Sequence, residues 1–270
     1  MNKAIRIVIL FFVGMVLVYN YYSHHIAQQN LALLGREKDT FDKKALWNPP
    51  QIALIFDDLG ESIKDLKEIY SLKIPVSVAV IPGLKFSKNI AYIAERCNFS
   101  TLIHLPLEPK ESEKYYTKKY KFISTSLTPQ EIKKLLRYYL NSLRVAVGVS
   151  THMGSKATEE GSLMRVVLEE IKKRELIFID SRTSLKSVAY DLARRMDIKA
   201  GYNEGFIDSC RDKVKMREKI YSFLKEAKEK GKIIIIAHPK KITFEVLKEE
   251  IPHFKKEVSF ITIEEYFGIK

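Results

Sequence analysis

Past residue 50 the chain alternates short apolar runs with longer stretches whose apolar residues recur at helical spacing. The apolar runs cover 52–56, 76–81, 101–103, 145–149, 176–179, 233–237 and 258–263, and they are rich in Ile and Val. Each has the length of a strand, and most lack polar alternation, as strands covered on both faces do. Between them, Lys- and Glu-rich amphipathic stretches predict helices over 61–71, 85–96, 128–142, 158–174, 184–196, 213–230 and 243–251. Thr128, Pro129 and Glu131 combine an N-cap, a first-turn proline and a capping-box partner, which marks the start of the third helix. Regular β–α alternation implies a parallel sheet with right-handed crossovers. About seven units suit one α/β domain over 51–270, a distorted (β/α) barrel of about seven parallel strands, better than two smaller domains.

The first fifty residues follow another pattern. Lys3 and Arg6 precede an apolar run over 7–19, closed by Asn20, Tyr21 and Tyr22. Positive charge before an apolar segment orients the N-terminus inward, and tyrosines suit the far interface. The run is short beside the about 20 residues of a spanning helix. It also fits the core of a secretory signal, about 7–15 residues long. No small-x-small cleavage motif follows, since Ser23, His24, His25 and Ile26 come next. Residues 1–22 are therefore expected to form a membrane anchor helix, an uncleaved signal anchor, with a cleaved signal peptide as the alternative. Residues 23–50 are mainly polar and end in Asn48-Pro49-Pro50, which reads as a juxtamembrane stalk broken by the prolines. This addressing predicts an extracytoplasmic domain, periplasmic or at the cell surface, tethered to the cytoplasmic membrane or secreted if cleaved.

Polar residues at the ends of the strands carry the chemistry. The run 52–56 leads into Asp57-Asp58, 101–103 into His104, 145–149 into Ser150-Thr151-His152, 176–179 into Asp180, and 233–237 into His238. In parallel β/α barrels all strand C-termini open on one face, where active sites form. Five strands thus deliver carboxylates or imidazoles to one rim. A single Asp after a strand is often the N-cap of the next helix, and Asp58 alone would be open to that reading. Two adjacent carboxylates repel one another, and a cation would relieve the repulsion. An Asp with two His ligands and an open position describes a catalytic zinc-type site. Mixed oxygen and nitrogen ligation admits a divalent Zn, Co, Ni, Mn or Fe ion. Such a site also needs a separate base and acid.

Composition narrows the partners. The net charge is +13, from 46 Lys and Arg against 33 Asp and Glu, but the lysines are scattered along the chain. A nucleic-acid surface would gather them on one stripe with interleaved aromatics, so no nucleic-acid partner is expected. Weak attraction to anionic membranes or wall polymers remains compatible with the charge. Two cysteines, Cys97 and Cys210, match no metal-binding spacing. His24, His25 and His253 look incidental.

The segments Ile55-Phe56-Asp57-Asp58-Leu59-Gly60, His104-Leu105-Pro106-Leu107-Glu108-Pro109, Thr151-His152-Met153-Gly154-Ser155, Phe178-Ile179-Asp180-Ser181-Arg182-Thr183-Ser184 and Ala237-His238-Pro239 resemble the polysaccharide deacetylase superfamily. The closer likeness is to its divergent polysaccharide deacetylase branch, and the five pieces occur in the family's order from about residue 50 onward. The resemblance implies a distorted barrel, metal-dependent removal of acetyl groups from an acetylated glycan, and work outside the cytoplasm. Carried over, Asp57 would be the base that takes a proton from the attacking water, and Asp58 and His104 would be metal ligands. His238 would be the acid that protonates the leaving amine, and Asp180 with Arg182 would orient the catalytic groups or bind substrate. The family's His-x-x-x-His pair is here His104 and Glu108. The third ligand is then Glu108 or His152, with His152 favoured because it follows its own strand; Glu108 would otherwise hold His104 in place. A non-catalytic metal-containing module that binds a glycan or a protein is the alternative function. The tyrosines of the 111–125 stretch, Tyr115, Tyr116 and Tyr120, read as loop packing or as sugar-stacking rings. Asp208, in Phe206-Ile207-Asp208, would line the site or cap the next helix.

Overall fold

A computed structural model describes residues 21–26, 28–29, 49–111 and 119–269 of the chain. Residues 1–20 of the expected anchor over 1–22, most of the stalk, and Tyr115 and Tyr116 lie outside the described residues. The chain divides into two compact units, Met1–Asn48 and Pro49–Lys270. In the first, residues 21–26 and 28–29 are helical and exposed. Among the described residues no helix is long and apolar enough to cross a membrane.

The second unit is a distorted parallel barrel. Its strands are β1 (Gln51–Leu59), β2 (Ser77–Val80), β3 (Ser100–Leu107), β4 (Gly148–Met153), β5 (Ile177–Asp180), β6 (Ala200–Tyr202), β7 (Lys232–Ala237) and β8 (Ser259–Ile261). The order β6-β5-β4-β3-β2-β1-β7 places the seven main strands around the wall. β8 shares an edge of β1, pairing Gln51–Ala53 below the point where β2 pairs Ile55–Leu59. Between β6 and β7 the segment after β6 closes the wall, with Glu204 N donating to Ile234 O (2.9 Å) and Ile207 N to Ile236 O (2.9 Å). Helices α1 (Ile63–Ser71), α2 (Ser87–Arg96), α3 (Pro129–Ser142), α4 (Gly161–Lys172), α5 (Ala189–Arg195), α6 (Lys213–Lys230), α7 (Lys241–Phe254) and α8 (Ile263–Tyr266) alternate with the strands. The capping box expected at Thr128 and Glu131 is formed.

Strand alternation sorts the side chains into two cores. Ile52, Leu54, Phe56, Ile103, Leu105, Val149, Phe178, Ile233 and Ile235 face the helices in the larger cluster. Ala53, Ile55, Ala79, Leu102, Ile177, Ile179, Ile234 and Ile236 fill the barrel interior. Each fully buried Ile is worth about 1.5–3 kcal/mol, so this floor is well defined. The same inward phase, carried two residues onward, leads from Ile55 to Asp57, from Leu102 to His104 and from Ile236 to His238. His104, Asp57 and Asp58 therefore lie within their strands rather than in the loops beyond them. β4 likewise starts later than its apolar run and carries His152 within it.

Neighbouring strands must share the narrow interior, so large and small residues alternate across it. Leu102, Gly148 and Ile177 stand side by side in register. A Cβ on Gly148 would lie 2.7 Å from the Ile177 carbonyl oxygen and 2.9 Å from Leu102 Cδ2. Because backbone is one of the obstructing partners, we expect Gly148→Ala to destabilise the domain by about 1–3 kcal/mol, read as a lower denaturant midpoint; an unshifted midpoint would show that the row can yield.

Candidate metal centre

The first strand breaks its own alternation at the mouth. Phe56 pairs with Val78 but Leu59 with Val80, so β1 holds one residue more than β2 there. Asp58 takes the left-handed conformation that this bulge requires (φ 61°), which Asp tolerates better than most residues. Two consecutive carboxylates consequently reach the same side. Asp57 Oδ2 lies 3.5 Å and Asp58 Oδ1 3.2 Å from His104 Nε2. His152 Nδ1 lies 2.8 Å from Asp58 Oδ1, and His238 Nε2 lies 3.8 Å from Asp58 Oδ2. Asp58 has no capping role, since α1 is capped by Ser62 accepting from Lys64 N.

Asp58, His104 and His152 each offer one ligand atom, and these atoms lie within 4.8 Å of one another. Ligands about 2.0–2.2 Å from a zinc-type ion stand a little over 3 Å apart, and the 2.8 and 3.2 Å separations are close to that. Burial drives His104 down to about 4, assisted by the other two histidines and opposed by Asp58; its imidazole is neutral at pH 7, as a ligand must be. Burial alone would raise Asp58, but the hydrogen bonds from His104 and His152 hold it well below the usual carboxylate range. Asp57 is the reverse case. Burial first, then the charges of Asp58 and Asp208, push it well upward, and its Oδ1 is buried without a hydrogen-bond partner. A donor set of one carboxylate and two imidazoles beside an unpaired buried carboxylate oxygen fits a divalent cation.

Each histidine is oriented through its second nitrogen. His104 Nδ1 meets Ser150 Oγ at 2.8 Å and His152 Nε2 meets Tyr120 Oη at 3.0 Å. His238 Nδ1 meets the carboxylate of Asp208 at 2.8 Å, under the stacked Phe206 ring. Asp208 also accepts from His238 N and Thr243 Oγ1 and lies 3.3 Å from Lys240 Nζ. It does not cap α6; Asp212 does.

Other candidates are placed elsewhere. Asp180 falls on the helix-facing side of β5 by the strand's alternation, and its two oxygens accept from Arg182 N (2.9 Å) and Ser187 Oγ (2.6 Å). The Arg182 guanidinium lies 3.5 Å above the Tyr202 ring. This loop flanks the site, since Ser181 N donates to Thr151 Oγ1 and Thr183 Oγ1 to Met153 O, but neither Asp180 nor Arg182 joins the group around Asp58. Glu108 is not among the grouped donors and does not hold His104, a task Ser150 performs. Its carboxylate accepts from Thr125 N, Thr125 Oγ1 and Lys156 Nζ; burial would raise its pKa, but these partners lower it on balance. Sequence reasoning missed Ser150 and Tyr120 as partners of the histidines. Ser150 was legible in principle, because it stands two residues before His152 in the same inward phase. Cys97 and Cys210 are both free.

A family model described as divergent polysaccharide deacetylase matches residues 54–267. An uncharacterized protein of Haemophilus influenzae (strain ATCC 51907 / DSM 11121 / KW20 / Rd) is 25% identical over 211 residues, 78% of this chain and 74% of that one. The uncharacterized protein YibQ of Escherichia coli (strain K12) is 25% identical over 211 residues, 78% of this chain and 65% of that one. Among solved structures, ATU2773 of Agrobacterium tumefaciens C58 has a TM-score of 0.74 at 16% identity, covering 81% of this chain and 89% of its own. The peptidoglycan N-acetylglucosamine deacetylase Bc1960 has a TM-score of 0.50 at 11% identity, covering 81% and 88%. These structural likenesses concern the fold.

Asn shares the tolerance of Asp for the left-handed backbone, so Asp58→Asn removes charge while keeping the bulge. We expect it, and His104→Ala, to weaken zinc binding by more than the roughly 10- to 100-fold typical of outer partners, measured by competition with a chromophoric chelator. Wild-type affinity in both variants would move the ion elsewhere.

Proposed function

Because the chain belongs to the divergent polysaccharide deacetylase family, we propose that it is a metal-dependent hydrolase that removes acetyl groups from an envelope polysaccharide. The observation that carries this reading is the juxtaposition of the Asp58, His104 and His152 donors with Asp57, whose Oδ1 is unpaired, and with the His238–Asp208 pair. Asp58, His104 and His152 would hold the ion, with zinc the first choice. A divalent ion there would polarise the acetyl carbonyl and acidify a water.

The remaining chemistry belongs to the chain. Asp57, its pKa raised by burial and by neighbouring carboxylates, suits a base that takes a proton from water near neutral pH. The water oxygen bonds to the acetyl carbon, the C–N bond breaks, and acetate leaves. The sugar nitrogen needs a proton, and His238 Nε2 faces the mouth to supply it. Asp208 at Nδ1 fixes the ring tautomer and orientation for that transfer. Beneath these groups Ile55, Ile179 and Ile236 close the barrel to solvent.

The fold shared with Bc1960, a peptidoglycan N-acetylglucosamine deacetylase, makes acetylated amino-sugar polymers the first substrates to test. Acetate release from chito-oligosaccharides or peptidoglycan fragments should require added Zn or Co. Asp57→Asn and His238→Ala should each lower kcat by about 10²–10⁴-fold while one equivalent of metal stays bound. Metal-loaded protein without turnover on any acetylated sugar would favour a non-catalytic glycan- or protein-binding module, whose saccharide binding would survive Asp57→Asn.

We also place this activity outside the cytoplasm, on the strength of Lys3, Arg6 and the apolar run over 7–19. Alkaline phosphatase fused after residue 270 should be active in intact cells and membrane-associated; an active cytoplasmic reporter at the same junction would reverse the orientation.

A further inference from the structure

We propose that Tyr120 is the positioning residue that makes His152 a metal ligand, and that Glu108 serves the same end by pinning the segment that carries it. The inference rests on the metal-site reading above and concerns how that site is completed.

His152 presents Nδ1 to Asp58 Oδ1 at 2.8 Å and Nε2 to Tyr120 Oη at 3.0 Å. The Tyr120 ring also stands edge-on to the imidazole, with centroids 5.6 Å apart at 85°. An imidazole that gives Nδ1 to a cation must carry its proton on Nε2, and that proton needs an acceptor. A phenol serves in either direction. With no cation, Nδ1–H donates to Asp58 and the Tyr120 hydroxyl donates to Nε2. With a cation at Nδ1, Nε2–H donates to the Tyr120 oxygen. The ring therefore changes tautomer without losing a hydrogen bond.

Tyr120 is itself held in place. Lys121 N donates to Tyr139 Oη (2.9 Å), and Tyr139 Oη donates back to Lys121 O (2.6 Å). Ile123, fully buried, joins the end of β3 through Ile123 N to Pro106 O (2.9 Å) and Glu108 N to Ile123 O (3.0 Å). Glu108 Oε2 then accepts from both Thr125 N and Thr125 Oγ1 at 2.8 Å, while Oε1 takes Lys156 Nζ at 2.9 Å. Glu108 thus ties together the segments that follow the strands of His104 and His152. That accounts for a carboxylate four residues after His104. The third donor comes from the next strand, and the Glu secures the partner which that donor needs.

The test uses the full-length chain with Zn²⁺ or Co²⁺ alone, and reads affinity by chelator competition and ligand geometry by the Co²⁺ absorption spectrum. Tyr120→Phe keeps the ring and loses only the hydroxyl. It should weaken binding by about 10- to 100-fold and alter the Co²⁺ spectrum, while the metal-free chain still unfolds in one cooperative step. Glu108→Gln should weaken binding and speed amide exchange over 120–125. His152→Ala should bind more weakly than Tyr120→Phe. Wild-type affinity and spectrum in Tyr120→Phe overturn the proposal while leaving the metal site intact. A wild-type chain that binds no metal, or a His152→Ala variant that binds like wild type, overturns the site reading and this inference together.

Discussion

The arrangement at the mouth depends on one extra residue in β1. Regular strands send consecutive side chains to opposite faces, so Asp57 and Asp58 in an unbroken β1 would have been divided between the barrel interior and the helix layer. The register slip between Phe56 and Leu59 and the left-handed Asp58 bring both carboxylates within 3.5 Å of one nitrogen of His104. Like charges so close cannot both ionise without help. The molecule separates them by environment: Asp58, with a side chain 40% exposed, leans on two imidazoles, whereas Asp57 is buried and lacks a partner on one oxygen. Backbone strain at Asp58 coincides with electrostatic strain across the Asp57–Asp58 pair, as is common where a ligand or a reaction supplies the compensation.

The second division of labour lies in what stands behind each histidine. His104 and His152 are backed by hydroxyls, those of Ser150 and Tyr120, while His238 is backed by the buried carboxylate of Asp208. A hydroxyl can give or take a hydrogen bond, so it leaves a neutral ring free to present whichever nitrogen a cation needs. An ionised carboxylate can only accept, so it commits its histidine to carrying the Nδ1 proton and turning Nε2 to the mouth. Three residues of one type are thereby given two kinds of backing, a hydroxyl for two of them and a carboxylate for the third.

Much of this was legible in the chain because barrels of this kind write their plan in apolar runs. Buried strands such as 233–237 have no polar residue to disguise them, and the residues two steps beyond the interior isoleucines had to reach the open end. Strand β6 was not legible. Ala200-Gly201-Tyr202 is three residues long, and its Gly packs close against a neighbour rather than serving a turn: a Cβ there would sit 2.5 Å from Ile234 Cδ1. The bulge was hidden as well, since an Asp pair reads the same in a regular strand. Asp180 was read from its strand end, and Arg182 from the family resemblance, as groups that orient the catalytic residues or bind substrate; β5 runs one residue further than its inward phase, and Asp180 accepts from its own loop. Asp208 was visible as a candidate; its tie to His238 depends on the 204–207 segment closing against β7.

Glu108 shows why a motif departure is better judged by contacts than by tally. Counted against the His-x-x-x-His pattern, it is a ligand lost. In the folded chain a third candidate donor beside Asp58 and His104 is offered by His152, reached from the adjacent strand, where it stands opposite Pro106. Moving a ligand from one strand to the next changes which loop must support it. The support comes from 119–125, returned to the end of β3 by Ile123 and held there by Glu108. On the proposed site the two features belong together: without His152 the group would keep two candidate donors, and without Glu108 the segment that carries the partner of His152 would lose a tie.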